Sequence, residues 1–367
     1  MELKGEYGSA IVFSDNLEDG AKSQILDLLN QDFIKDSTVR IMPDVHEGMG
    51  CVIGFTADMG DKVIPNIVGV DIGCGMLTVE LGDVDIDFQK LDLIISHKIP
   101  SGRNVHESRK YKFDKLQELH VFRELNDTRR MERSIGSLGG GNHFIEIGVD
   151  SKNHKYLIVH SGSRNLGTQV ARLYQNLAID LCSSLKPHYP KNLCYLTGQY
   201  REKYLHDMKI CQEYAVFNRE IMANIILSNL FKKNLNEFSY FQTIHNYINF
   251  KDNIIRKGAI SAYEGEKVLI PLNMKDGSIL GIGKGNRDWN YSAPHGAGRL
   301  LSRTEAKQRL NLDDFKESMK GIYSTSVNKK TLDESPAAYK PIKDIINAIT
   351  ETVDIIDIIK PIYNFKA

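Results

Sequence analysis

Asp71 and Cys74 stand three positions apart in the stretch GVDIGCGM (69–76), an acid and a thiol with little side-chain bulk around them. His143 in GGGNHF, His160 in VHSGSR and His245 in IHN sit in similar settings, each beside glycine or another small residue. One carboxylate, one thiolate and three imidazoles make a donor set able to hold a metal ion, and a thiolate can bridge two. Glycine lets a backbone approach a bulky polar group closely and adopt positive φ. Each residue alone has a plainer reading. Cys74 reads as a small buried hydrophobe, His160 and His245 as hydrogen-bonded core histidines, and Asp71 as the closing residue of an Asx-turn beside Gly73. The spacing is not that of a zinc finger, so the metal reading rests on five such residues recurring in five glycine- or asparagine-rich settings. By softness, a thiolate with imidazoles favours zinc.

A second centre is PHGAGRLLSR (294–303), where His295 precedes Gly-Ala-Gly and then Arg299 and Arg303. An uncrowded imidazole can act as a covalent nucleophile toward phosphate, and arginines neutralise phosphate oxygens with forked hydrogen bonds. The plainer reading is a glycine-rich turn before a capped helix. Arg164, in HSGSRNLG, and Arg256 and Lys257, in RKGA, read as an anion-binding rim or as solvated cations. Asp44 and His46, in MPDVHEG, read as catalytic or supporting residues, or as a turn.

These residues need elements to hold them. SAIVF and TVRIMP (38–43) read as strands, with a helix near 16–30 capped by Asp15 between them. GMLTVEL (75–81) alternates as a strand does. Helical patterns follow near 88–97 and 113–125, then strands FIEIGV and YLIVHSGSR. Two long helices are expected near 168–185 and 202–233. The run KVLIPLNMKDGSILGIG (267–283) is a hairpin, SRTE (302–305) a capping box, and a last helix is expected near 341–358. There is no internal repeat or low-complexity linker. Glycine-rich polar loops spread through the chain favour one interwoven α+β domain, 1–367, with a helical excursion near 168–235.

The 367 residues suffice for a sizeable core. Lys+Arg and Asp+Glu are 47 each, which argues against wholesale electrostatic coating of DNA but leaves room for a local basic groove for a single strand. Five cysteines, an odd number without framework spacing, read as reduced thiols. With no leader-like N-terminus and no apolar run near membrane length, a cytoplasmic setting away from membranes is expected.

MPDVHEGMG, VGVDIGCGM, SLGGGNHFIEIG, VHSGSRNLG, HN, RKGA, PHGAGRLLSR and the near-terminal Lys366 occur in the order seen in RtcB-type RNA ligases, which the chain resembles from about residue 38 to its end. The resemblance implies an RtcB-like fold and a 3′-phosphate/5′-hydroxyl nucleic acid ligase. Such an enzyme joins an RNA 3′-phosphate or 2′,3′-cyclic phosphate to a 5′-hydroxyl end with GTP and two manganese ions, in RNA repair or tRNA splicing. It implies that His295 is guanylated and that Cys74 bridges the metals, with Asp71 and His143 completing one site and His160 and His245 the other. Nucleotide contacts are implied for Asn142, His143, Phe144, Ile145, Glu146, His245, Asn246, Pro271, Leu272, Asn273, Met274, Ser278, His295, Gly296, Ala297, Gly298 and Lys366. Arg164, Lys257, Arg299 and Arg303 are implied to hold RNA phosphates and Asp44 to assist catalysis. An archease-type activating protein is implied as a partner.

The chain departs from the family pattern at Leu272-Asn273, Pro294, Gly73 and the final Lys-Ala. A rival reading, a dinuclear metallophosphoesterase acting on RNA ends, would need the ligands but not His295 or Lys366. Another, a catalytically silent RNA-end-binding protein, would be expected to have lost ligands, and none is lost.

Overall fold

The structure is a computed structural model that describes residues 1–186 and 188–366. It is a mixed α+β fold whose strands form two large sheets and a short ribbon. The larger sheet is antiparallel throughout and runs in the order Lys267–Asn273, Gly277–Gly283, Val353–Lys366, Phe144–Val149, Lys155–Ser161, Gly75–Gly82, Tyr240–Ile244. The second runs Glu2–Lys4, Ser9–Val12, Val39–His46, Ile53–Asp58, Ile254–Lys257, Asn246–Ile248. Ala259–Ser261 pairs with Ser292–Pro294 in the ribbon.

Register places the chemistry. Gly75 pairs with both Ser161 and Ile244, and Phe144 pairs with both His160 and Lys366. Cys74, His143, His160, His245 and Lys366 are therefore at or next to paired positions along one end of the larger sheet. A slip of one residue in any strand would turn the chosen side chains to the other face.

The long helices Arg164–Cys182 and Gly198–Leu230 lie close to their expected spans. Their apolar faces join two cores. One holds Val170, Tyr174, Met208 and Tyr214 beside the smaller sheet's residues, and the other holds Met222, Ile226 and Leu227 against Leu77, Ile145 and Val159 of the larger sheet. The hairpin and the Ser302–Glu305 capping box form as the sequence indicates. No helix of the described residues is long and apolar enough to cross a membrane.

Three expectations are corrected. The first helix begins at Asp19, not after Asp15, and Ser14 instead turns its hydroxyl onto the carbonyl of Asn16. Residues 113–125 form two 3-10 turns, Asp114–Glu118 and Phe122–Glu124. The buried Asp207 carboxylate captures the amides of His120 and Val121 at 2.8 and 3.2 Å, which removes the donors a continuous helix would need. The final helix stops at Ala348, and Val353–Lys366 is a strand. Its Val and Ile residues lose χ1 freedom in a helix and pack well on a pleated surface.

That last strand pairs with Gly277–Gly283 through Ile359, then with Phe144–Val149 from Lys360 onward. Pro361, which has no N–H to give, sits where the register shifts, between Pro361 and Tyr363. The strand thus ties the hairpin to the rest of the sheet. A chain ended at Thr352 is expected to lose cooperative thermal unfolding measured by circular dichroism, and a native-like transition in that variant would contradict this role.

Candidate active site

Cys74 Sγ lies 3.4 Å from His143 Nε2 and 3.3 Å from His160 Nε2, and Asp71 Oδ2 lies 3.1 Å from the same His143 nitrogen. The other ring nitrogens are fixed. His143 Nδ1 donates to the Leu138 carbonyl at 2.8 Å and His160 Nδ1 to the Asn142 carbonyl at 3.1 Å. A carbonyl only accepts, so the Nδ1 atoms hold ring protons, and in that tautomer Nε2 of each ring presents a lone pair toward Cys74. Burial, then the nearby His245 and His143, push His160 well below the ordinary histidine value. Burial, then His295, does the same for His245. Burial and the Asp71 carboxylate push the Cys74 thiol well up. Burial raises Asp71, but the Arg164 guanidinium and the Cys74 thiol help hold it low.

The result is an excess of acceptors. Two imidazole lone pairs, a sulfur and a carboxylate oxygen crowd together with one thiol proton among them. A cation resolves this. It would lower the thiol pKa and accept the lone pairs, and the two carbonyls behind the rings orient them as ligand-supporting groups do. The ligand atoms of Cys74, His143 and His160 lie within 4.8 Å of one another. His245 adjoins them, its ring 5.2 Å from that of His160 and 4.8 Å from that of His295. Its Nδ1 is buried without a partner among the described residues.

Glycine is required close by. A Cβ on Gly139, whose φ is +91°, would stand 2.0 Å from an Arg164 nitrogen and 2.7 Å from His143 Nδ1. A Cβ on Gly162 would stand 2.2 Å from Asp71 Oδ1. The bare backbone leaves room for the ligands themselves.

His295 follows the strand Ser292–Pro294. Its amide and its Nδ1 both donate to Oδ2 of the fully buried Asp44, at 3.1 and 2.7 Å. This leaves Nε2 without a partner among the described residues, on a ring that lines a cavity of about 200 Å³. Of the expected nucleotide-contacting residues, Asn142, Phe144, Glu146, Pro271 to Met274, Ser278, Gly296 to Gly298 and Lys366 line it. Ile145 does not, being packed in the core, and Asn246 instead donates to the Asp71 carbonyl at 3.2 Å and accepts from the Gly258 amide at 3.0 Å. Lys366 is buried, its ammonium on Glu334 and 5.7 Å from the Phe144 ring centre. Ala367 lies outside the described residues.

The basic residues divide. Arg164 lies in a neighbouring cleft with Asp71 and His143. Arg299 and Arg303 line the His295 cavity but are engaged by acids: Arg303 bonds Asp333 and Glu334 at 2.7 and 2.6 Å, and Arg299 bonds the Asp333 carbonyl at 2.6 Å. Glu334 also accepts from Tyr339 at 2.7 Å, and the surrounding cations, Lys366 foremost, hold it near 2 against the opposing effect of burial. Lys257 points to neither cavity. Its ammonium is buried on the carbonyls of Met49, Cys51 and Asn66, and burial lowers it to about 8.

Sequence reasoning missed Glu334, Tyr339, Asn364, Asn218 and Arg219. The last two are fully buried on Gly198–Leu230. Asn218 accepts from the amides of Gly136 and Ser137 and donates to Ser137 and Gly162 carbonyls and the Ser161 hydroxyl. Arg219 donates to the Gly73 and Ser161 carbonyls at 2.8 and 2.7 Å. Their signal was a polar pair interrupting an apolar helical series.

Asn218→Ala is expected to cost about 2–4 kcal/mol, because it strands several buried loop groups at once. Urea unfolding measures this, and a change below about 0.5 kcal/mol would remove the helix from the role of loop organiser. Burial raises Glu146 to about 8 against the lowering pull of Asn364 and Lys366. Its carboxyl keeps a proton in the folded state that it loses when unfolded, so this group's contribution falls as pH rises from about 4.5 to about 8. Glu146→Gln is expected to flatten the pH dependence of the urea midpoint in that window. An unchanged slope would mean that Glu146 is ionised in the fold.

The family model described as tRNA-splicing ligase RtcB matches residues 24–367. The RNA-splicing ligase RtcB of Escherichia coli K12 is 29% identical, the alignment covering 93% of this chain and 92% of the relative. The tRNA-splicing ligases RtcB of Aeropyrum pernix and Nanoarchaeum equitans are 28% and 26% identical, covering 82% and 85% of this chain and 82% and 84% of theirs. With the matched residues spanning both cavities and the Cys–His cluster, the chain belongs to the tRNA-splicing ligase RtcB family.

Proposed function

We propose that this chain is an RNA ligase that joins RNA 3′-phosphate or 2′,3′-cyclic phosphate ends to 5′-hydroxyl ends through guanylated His295, with GTP and manganese. The observation that carries the reading is His295 itself. Its Nδ1 is tied to buried Asp44, its Nε2 has no partner among the described residues, and its ring stands 4.8 Å from His245 at the edge of the Cys–His cluster. Family membership and the RNA-ligase names of the relatives support the substrate class. The whole chain, 1–367, would act as one domain, in a cytoplasmic setting where its five free cysteines stay reduced.

The donor excess fits cations, so Asp71, Cys74, His143, His160 and His245 would hold two manganese ions. Manganese bound there supplies Lewis-acid neutralisation of phosphate charge. The residues do the rest. His295 Nε2 attacks the α-phosphorus of GTP and displaces pyrophosphate. Positive charge develops on the ring as the N–P bond forms, and the Asp44 carboxylate on Nδ1 stabilises it. A 2′,3′-cyclic end first adds water and opens its P–O2′ bond to give the 3′-phosphate, an oxygen of which then takes the guanylyl group from His295. Finally the 5′-hydroxyl attacks the activated 3′-phosphate and expels GMP. Glu146, with Oε1 unpartnered among the described residues, and Lys366 lie in the cavity where a purine would be read. Arg299 and Arg303 would meet phosphates only by exchanging their bonds to Glu334 and Asp333. Lys257 would act by holding the Met49–Asn66 loop rather than by touching phosphate. An archease-type protein would serve as activator.

Incubation with α-labelled GTP and manganese is expected to give an acid-labile labelled protein band that His295→Ala abolishes. Asp44→Asn is expected to slow labelling roughly a hundredfold, within the usual range for groups that support acid–base or nucleophilic chemistry. Labelling that persists in the His295 variant would overturn the assignment.

A further inference from the structure

His120, His206 and Asp207 form a second group of metal-capable side chains, apart from the Cys–His cluster. Each offers one ligand atom, and the three atoms lie within 4.8 Å of one another. Three stretches of chain meet there. His120 lies between the 3-10 turns Asp114–Glu118 and Phe122–Glu124, and His206 and Asp207 are on the long helix Gly198–Leu230. Tyr174 comes in from the helix Arg164–Cys182. Asn218, which ties the active-site loops, is further along the same long helix, about 18 Å away at the usual rise per residue.

Asp207 is the centre of the group. It is fully buried, yet no Lys or Arg pairs with it among the described residues. Its Oδ1 accepts from the His120 amide at 2.8 Å and from His206 Nδ1 at 3.1 Å. Its Oδ2 accepts from the Tyr174 hydroxyl at 2.8 Å and the Val121 amide at 3.2 Å. Buried carboxylates are ordinarily paired with a cation or bound to a metal. Here the one side chain in contact that can carry the countercharge is the His206 imidazole, which is itself exposed. The two amides and the phenol fix the carboxylate from behind, as outer hydrogen bonds do for metal-ligating groups. The two imidazoles complete the set from the solvent side. Their ring centres are 4.8 Å apart at 58°, so neither ring stacks on the other. Of His120 only the amide is hydrogen-bonded among the described residues, which leaves its ring nitrogens unengaged. The 3.1 Å between His206 Nδ1 and Asp207 Oδ1 is close to the edge of a zinc tetrahedron, about 3.3 Å for bonds of about 2.0–2.1 Å. A cation can take the place of the Nδ1 proton with little movement, the ring changing to the tautomer protonated at Nε2. Two imidazoles with a carboxylate suit zinc and its neighbours in the transition series better than manganese.

We propose that His120, His206 and Asp207 bind a zinc-class divalent ion that clips the irregular segment 114–124 to the long helix. Of these residues only Leu116 and Leu119 are buried, so a metal crosslink adds an anchor where apolar burial is sparse. The site is independent of the RNA-ligase reading and uses none of its residues.

The test is zinc binding to the full-length protein stripped of metal, measured against a chromophoric chelator at micromolar free zinc. His120→Ala removes a ring that holds nothing else in the fold, and His206→Gln can still donate to Asp207 while losing the imidazole. Each is expected to bind one equivalent of zinc fewer than the native chain, with an unchanged circular dichroism spectrum. His97→Ala, at an exposed histidine of the helix Phe88–Lys98, is expected to bind as the native chain does. The same difference of one equivalent is expected when His120→Ala is made in a Cys74→Ser background, where the other cluster has lost its thiolate. Zinc is also expected to raise the melting temperature of the Cys74→Ser protein by an increment that adding His120→Ala reduces, because an ion that binds only the folded chain stabilises it. Equal zinc stoichiometry in the native chain and both histidine variants would overturn the proposal. So would a difference that vanishes in the Cys74→Ser background, which would place the lost ion at the Cys–His cluster, or loss of the same equivalent in His97→Ala.

Discussion

Four acceptors with one proton among them form the constraint on which the rest of this structure depends. Asp71 Oδ2, Cys74 Sγ and the Nε2 atoms of His143 and His160 converge in a buried space. The arrangement is fixed from behind by carbonyls that hold the opposite ring nitrogens as donors. Such a cluster is costly in an apolar interior unless a cation completes it. The surroundings hold it in place by removing freedom from every group. Ser163 bonds Asp71, the Cys74 carbonyl bonds the His245 amide, and Arg219 spans the Gly73 and Ser161 carbonyls from below. The glycines of the adjoining loops leave the volume that these side chains occupy.

The larger sheet and the long helix divide the work of positioning. Strand register brings four short loops to one sheet end, and the Asn218–Arg219 pair ties those loops to a helix that the apolar cores hold in place. The C-terminal strand adds Lys366 and joins the hairpin to the same sheet. His295 arrives from the ribbon and is locked by Asp44 of the smaller sheet, so the proposed nucleophile and the proposed metal ligands rest on different sheets. The acid hub around Glu334 fastens the other wall of the cavity.

Much of this was legible in the sequence because short-range chemistry determined it. Asp71, Cys74 and the three histidines stand out as reactive side chains in small-residue loops. The capping box at Ser302 and the hairpin at 267–283 follow from local rules. What was not legible depended on distant partners. Nothing near 113–125 reveals that Asp207 will take the amides of His120 and Val121 and unwind a helix. Lys257 looks like a phosphate-binding cation until three carbonyls from residues 49–66 surround it. Arg299 and Arg303 look free until Asp333 and Glu334 meet them. Residues 353–358 were misread as helix because the strand they pair with lies at 277–283.

The central claim is that the Cys74 sulfur, facing two imidazole lone pairs, binds a divalent cation as a thiolate. Titration with cobalt(II), read as sulfur-to-metal charge-transfer absorption, tests it without reference to catalysis. The account predicts a saturable charge-transfer band in the native protein that manganese competes away, and its loss in Cys74→Ser with an unchanged far-ultraviolet circular dichroism spectrum. Cobalt binding with no thiolate band in the native protein, or the same band in the Cys74 variant, would contradict it.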